Sequence, residues 1–151
     1  MIGDLYAMSF ISSLFGDADA LSERDAVAAI MLIAVIADGP HTKQEEELFV
    51  AVSNSMKLFR DQNAEEFNEM ISKIRGLIDS HGRDAVLVDA AKIVPEDLRA
   101  TTYALCVDLV FSDGTVRRQE TAMLEAIQRE LGVGDELADT IDEVLRIKNR
   151  G

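Results

Sequence analysis

The chain contains no tryptophan, one cysteine and two prolines, and aromatic residues fill only 5% of its 151 positions. A single thiol, Cys106, excludes an intrachain disulfide and a thiolate metal cage. It sits in the apolar run Tyr103-Ala104-Leu105-Cys106-Val107 and reads as a buried small hydrophobe. The longest uncharged apolar run, Ala26 to Ala37, has twelve residues, short of the roughly 20 that a membrane-spanning helix needs. Basic residues are scarce: 15 Lys+Arg stand against 28 Asp+Glu, a formal net charge of −13. That balance excludes an electrostatic grip on nucleic-acid phosphates, which depends on Lys and Arg releasing counterions, and argues equally against anionic lipid. The excess divides evenly, −7 over residues 1–75 and −6 over 76–151, so no acidic tail accounts for it. Met1-Ile2-Gly3-Asp4 lacks the positive start of a signal peptide. The expectation is a cytoplasmic protein whose partners are cations or basic protein surfaces.

What the sequence does have is helical patterning. Apolar residues make up 48% of the chain, enough for one domain spanning residues 1–151 without disulfides. Phe67, Met70, Ile71, Ile74, Leu77 and Ile78 follow the spacing of one helix face, as do Leu137, Ile141, Val144 and Leu145 before Lys148. Ser22-x-x-Asp25, Thr42-x-x-Glu45 and Asn63-x-x-Glu66 are start signals, and Pro95 suits a first turn. Helices are expected at about 3–15, 22–38, 42–58, 64–80, 84–93, 96–113, 117–131 and 135–148, punctuated by Gly39, Gly82, Gly114 and Gly132. The fold class is therefore all-α: a single-domain bundle of about seven or eight helices, with two nearly apolar helices surrounded by amphipathic ones.

The chemistry lies in an internal repeat. A shift of 75 residues superposes 28–57 on 103–132 with seven identities, and Asp38-Gly39-(x)4-Gln44-Glu45 falls on Asp113-Gly114-(x)4-Gln119-Glu120. Each copy marks the junction between a buried helix and a charged one, which predicts two pseudo-symmetric helical hairpins. Asp38 and Asp113 end helices, where a carboxylate faces the negative end of the helix dipole at a typical cost of about 0.3–1 kcal/mol. Two explanations offset that cost: hydrogen bonds to loop amides around the glycine, or a bound cation. Glu45 can act with Thr42 as a capping box. At Glu120 the equivalent position is Arg117, which offers no oxygen cap, so a shared long-range partner explains both glutamates, with the favourable N-terminal dipole as the competing account. Asp108 interrupts an apolar stretch where the first copy has Ile33. A carboxylate there needs an ion pair, to an arginine such as Arg99 or Arg117, or a metal.

If the hairpins face each other, Asp38, Glu45, Asp113 and Glu120 converge with Asp108 nearby. Oxygen-only ligation favours calcium, magnesium or manganese, with zinc the alternative if His41 contributes; His41 otherwise reads as a solvated loop residue. The loops are not EF-hands, because the Asp-x-Asp-x-Asp-Gly ladder is missing.

Ile36-Ala37-Asp38-Gly39 followed by Glu45, and Phe111-Ser112-Asp113-Gly114 followed by Glu120, resemble the TerB-like family associated with tellurite resistance. The likeness covers about residues 20–133. It implies an all-helical domain, an acidic site capable of holding a divalent metal, and a non-enzymatic part in stress response at the inner membrane face with other tellurite-resistance proteins. A related domain looks like the cytoplasmic module of membrane-anchored DnaJ-like co-chaperones. Arg117 and Arg118 beside Glu120 depart from a purely acidic site. Carboxylates also repel tellurite itself, so any link to that oxyanion runs through metal or partners.

Three functional classes follow. The first is a metal-binding interaction module. The second is a metal-independent protein-interaction domain, for which Leu5, Met8, Ile11 and Phe15 supply an apolar stripe that either docks on the chain's own core or mediates a homodimer or partner contact. The third is a metal-dependent hydrolase, for which no Walker loop, Gly-x-Ser-x-Gly elbow, His-Glu-x-x-His pair or dinucleotide fingerprint is found.

Overall fold

The computed structural model describes residues 20–37, 39, 43–112 and 115–150. The expected helix at 3–15 and the residues Asp38, His41, Thr42, Asp113 and Gly114 lie outside the described residues. Seven α-helices occupy the rest: α1 (Glu23–Val35), α2 (Lys43–Ser55), α3 (Ala64–His81), α4 (Arg83–Ile93), α5 (Glu96–Phe111), α6 (Arg118–Leu131) and α7 (Asp135–Lys148), with one 3-10 turn at Lys57–Phe59. No strand occurs among the described residues. The expected all-α bundle is the fold observed.

Local signals set the helix starts. Ser22 and Asp25 exchange hydrogen bonds across the start of α1, with Ser22 Oγ accepting from the Asp25 amide and Asp25 from the Ser22 amide, both at 3.1 Å. Asn63 accepts from the Glu66 amide at 2.8 Å at the start of α3. Each box satisfies two donors that a helix N-terminus otherwise leaves orphaned. α6 ends at Gly132, whose φ of 71° is the left-handed conformation that lets the chain turn back.

The twelve-residue run behaves as its composition requires. Every side chain of α1 from Ala26 to Val35 is buried, and α2, α3, α4, α5 and α6 all pack around it. α5 is the second central helix, and its Cys106 Sγ lies 3.8 Å from the Ile30 carbonyl. Full burial pushes the Cys106 thiol well up from its ordinary range, so it stays protonated and acts as core packing. Phe49 and Phe59 meet Phe67 with ring centroids 6.1 and 6.4 Å apart, tying α2 and the 3-10 turn to α3.

α7 packs on α5 through mixed contacts. The Tyr103 hydroxyl donates to Asp142 at 2.9 Å, and the Arg146 guanidinium lies 5.3 Å from the centre of the Phe111 ring. Only part of the expected α7 stripe faces inward: Ile141 and Leu145 pack against the core, whereas Leu137 and Val144 are 48% and 56% exposed. The reason is that a single helix, α5, supplies the main described contact of α7, so its buried face is narrow. No described helix is long and apolar enough to cross a membrane.

Candidate metal centre

Two of the five sequence-selected carboxylates line the same cleft. Glu45, in the first turn of α2, and Glu120, in the first turn of α6, line one small cleft with Val35, Leu48, Leu109, Val110 and Ser112. Val35 and Val110, like Glu45 and Glu120, are repeat equivalents 75 residues apart. The cleft holds about 20 Å³, which admits a body the size of one water molecule and excludes an organic substrate. It lies where α1 ends at Val35 and α5 ends at Phe111, shortly before the two Asp-Gly pairs in the sequence.

Glu120 is the buried member of the pair, at 6% exposure. Its Oε1 accepts from the Arg117 backbone amide at 3.0 Å, and an Arg117 guanidinium nitrogen lies 4.0 Å away. This corrects the expectation that Glu120 lacks a capping role. Arginine has no acceptor with which to return the bond, but the half of the box that runs from the glutamate to the backbone needs only an amide. Glu45, which lines the same cleft, is half-buried.

Asp108 goes elsewhere. Its carboxylate accepts from Lys148 at 3.0 and 3.2 Å and from the Asn149 side-chain amide at 3.0 Å. The expected ion pair exists, but its cation is Lys148 on α7. Arg99 is unsuitable because its guanidinium donates to the Val94 and Leu131 carbonyls at 3.3 Å each. Arg117 lies beside Glu120.

One contributor escaped the sequence reading. Arg83, the first residue of α4, donates to the Ile36 and Ala37 carbonyls at 3.1 and 3.0 Å. It thus neutralises the electronegative end of α1 one residue before Asp38. Only the tertiary fold brings it there: residue 83 is distant in sequence, and the sole local hint is its place after the helix-breaking Gly82.

Among the described residues no group of three or more His, Cys, Asp or Glu side chains stands in metal-binding proximity. The cleft contributes two carboxylates, and the other acids of the motif, Asp38 and Asp113, lie outside the described residues. The described lining offers carboxylate oxygens from Glu45 and Glu120, the donor type that hard cations take.

No curated protein and no solved structure matches the chain. A family model does: that of the tellurite resistance protein TerB matches residues 24–143. That span runs from the first turn of α1 into α7 and includes both hairpins and the residues that line the cleft. The chain belongs to the TerB tellurite-resistance family.

Proposed function

We propose that the chain is a non-enzymatic, tellurite-resistance-associated module that holds one divalent cation between its two hairpins and presents the ordered end of the bundle to protein partners. The observation that supports this reading is that Glu45 and Glu120 line one small cleft. Asp38 and Asp113, which follow α1 and α5 in the sequence, complete the donor set in this proposal. Asp108 is left out, because its carboxylate is engaged by Lys148 and Asn149. An all-oxygen set favours calcium, magnesium or manganese; zinc requires a nitrogen donor such as His41. We place the module in the cytoplasm, reaching the inner membrane face through partners, in line with its charge of −13.

Chelator-stripped protein titrated calorimetrically with calcium, magnesium, manganese and zinc tests the proposal. Saturable binding by the wild type, lost in Asp38→Asn/Asp113→Asn while the helical signal persists, is the expected result. No heat at millimolar metal would move the reading to a metal-independent interaction domain whose acids serve as caps and ion pairs.

A further inference from the structure

Among the described residues four large hydrophobic side chains are exposed, and three of them lie on α7: Leu137 at 48%, and Val144 and Ile147 at 56% each. Spacings of seven and three residues put all three on one face of the helix. They form a stripe roughly 15 Å long at 1.5 Å rise per residue. It lies beside the inward stripe of Ala138, Ile141 and Leu145, which packs on the core. α7 is therefore apolar on two faces, and the described elements cover one.

The fold itself does not require the outer stripe. Subtracting 75 from each residue number carries α7 onto the first part of α3. There the equivalents of Val144 and Ile147 are Glu69 and Ser72, both exposed, and the equivalent of Leu137 is Gln62. The outward face of the first repeat is polar, as water favours, and that of the second is aliphatic. Hydrophobic residues scattered singly over a surface need no explanation, but an aligned set marks a contact surface.

The charges beside the stripe identify what covers it. Over residues 135–150 all five acids, Asp135, Glu136, Asp139, Asp142 and Glu143, precede all three cations, Arg146, Lys148 and Arg150. One edge of the stripe carries Glu136, Asp139, Glu143 and Arg146, all exposed, and ends at exposed Arg150 in the turn that closes the helix. This order is self-complementary in a twofold pair, where residue i of one copy meets j of the other and j meets i. With Leu137 set against Ile147 of a second copy, and Thr140 against Val144, the axis passes near residue 142. Glu136 and Asp139 then fall opposite Arg150 and Arg146 of the second copy. Glu143 lies nearest the axis, with Arg146 one turn on as its counter-charge. A parallel pair would set acid on acid, which is repulsive. Arg146 is already held in place by the Phe111 ring, 5.3 Å from its guanidinium, so less side-chain freedom is lost in using it.

We infer that α7 is a self-association helix: two copies of the chain pair α7 against α7, antiparallel about a twofold axis, burying Leu137, Val144 and Ile147 between carboxylate and arginine rims. The occupant of the stripe is a second copy. A single helix pair stands at the small end of specific interfaces, and the net charge of −13 per chain opposes it. The dimer is therefore in exchange with the monomer.

Sedimentation equilibrium of the full chain with chelator present, from about 1 μM to about 1 mM, tests this. The expected result is a rise from the 16.6 kDa monomer towards twice that mass. Val144→Glu/Ile147→Ser copies the residue types of positions 69 and 72. It is expected to weaken association by about tenfold or more while the helical signal holds. Glu136→Arg and Arg150→Glu, at exposed positions, are each expected to weaken it too. Mixing those two variants is expected to restore pairing, because each then meets the opposite charge on the other. A chain monomeric throughout would leave the stripe to a different protein and overturn the inference. Association undiminished by Val144→Glu/Ile147→Ser, or charge variants that pair no better mixed than alone, would overturn it as well.

Discussion

The hairpin of α1 and α2 and the hairpin of α5 and α6 carry their acids on different supports. In the first, the buried helix is apolar throughout, from Ala26 to Val35, and its end is clasped from outside by Arg83 of α4. In the second, Asp108 interrupts the apolar helix and is held by Lys148 of α7 and by Asn149, which caps that helix, and the nearby cation is the hairpin's own Arg117. Residue 8, which corresponds to Arg83, is Met. The supports have diverged while the glutamates at the cleft remain the same residue type in the same register. The shared element is therefore the pair of carboxylates, and the surrounding ion pairs are separate solutions to holding each helix end.

The largest expected effect comes from exchanging the two helices' one mismatch. Ile33→Asp places a carboxylate at a position with no exposure, and Lys73, the repeat equivalent of Lys148, is already engaged by the Ala20 carbonyl and the Asp25 carboxylate. It is expected to cost more than about 4 kcal/mol, as an uncompensated buried charge does, and to unfold the protein or sharply lower its urea midpoint. The reverse change, Asp108→Ile, removes a pair whose lysine is 59% exposed. It is expected to shift stability by about 1 kcal/mol or less. Equal costs for the two substitutions would break the comparison.

Arg83→Met copies the second hairpin's residue into the first. Two charge-assisted bonds to the Ile36 and Ala37 carbonyls disappear, for an expected loss of about 1–3 kcal/mol in urea unfolding. The Gly39 amide, which donates to Ile36 at 3.1 Å, should then exchange faster with solvent. An unchanged midpoint and unchanged Gly39 exchange would show that Arg83 is ornamental to the loop.

Much of this was legible in the sequence, for identifiable reasons. Capping residues and an apolar run act locally, so Ser22, Asn63 and the Ala26–Ala37 stretch announce their elements without a fold. The register of Glu45 and Glu120 was legible because a repeat constrains two distant sites together. Lys148 and Arg83 were not, because a long flexible cation can reach its partner from many places in the sequence. Glu120's half-box was missed for a different reason: attention to the side chain at 117 hid the backbone amide that every non-proline residue carries. The exposure of Leu137 and Val144 reflects how many neighbours α7 has, which periodicity does not encode.

The smallest expected effect concerns two acids outside the cleft, Asp89 on α4 and Asp142 on α7. Burial raises both above the ordinary carboxylate value. The effect is partly offset at Asp89 by Lys92, and at Asp142 by the Tyr103 hydroxyl and then Arg146. A carboxyl whose folded-state pKa exceeds its unfolded value binds its proton more tightly when folded. Its contribution to stability is therefore fully present below the unfolded value and is lost as pH rises through the folded one. Asp89→Asn is expected to raise the urea midpoint modestly at neutral pH and to flatten the pH profile just above the ordinary carboxylate value. Asp142→Asn should do less at neutral pH, since it also gives up the attraction of Arg146. A steeper profile in either variant would contradict the sign.

The central claim is that both hairpins serve one cation. Its most direct test is the calorimetric stoichiometry and affinity of the wild type beside Glu45→Gln and Glu120→Gln. Glutamine at 120 keeps an oxygen to accept from the Arg117 amide, so the helix start survives and the charge alone is removed. The account predicts one cation per chain and a loss of affinity of at least about tenfold from either substitution. Two independent cations per chain, or a wild-type affinity retained by either variant, would contradict it.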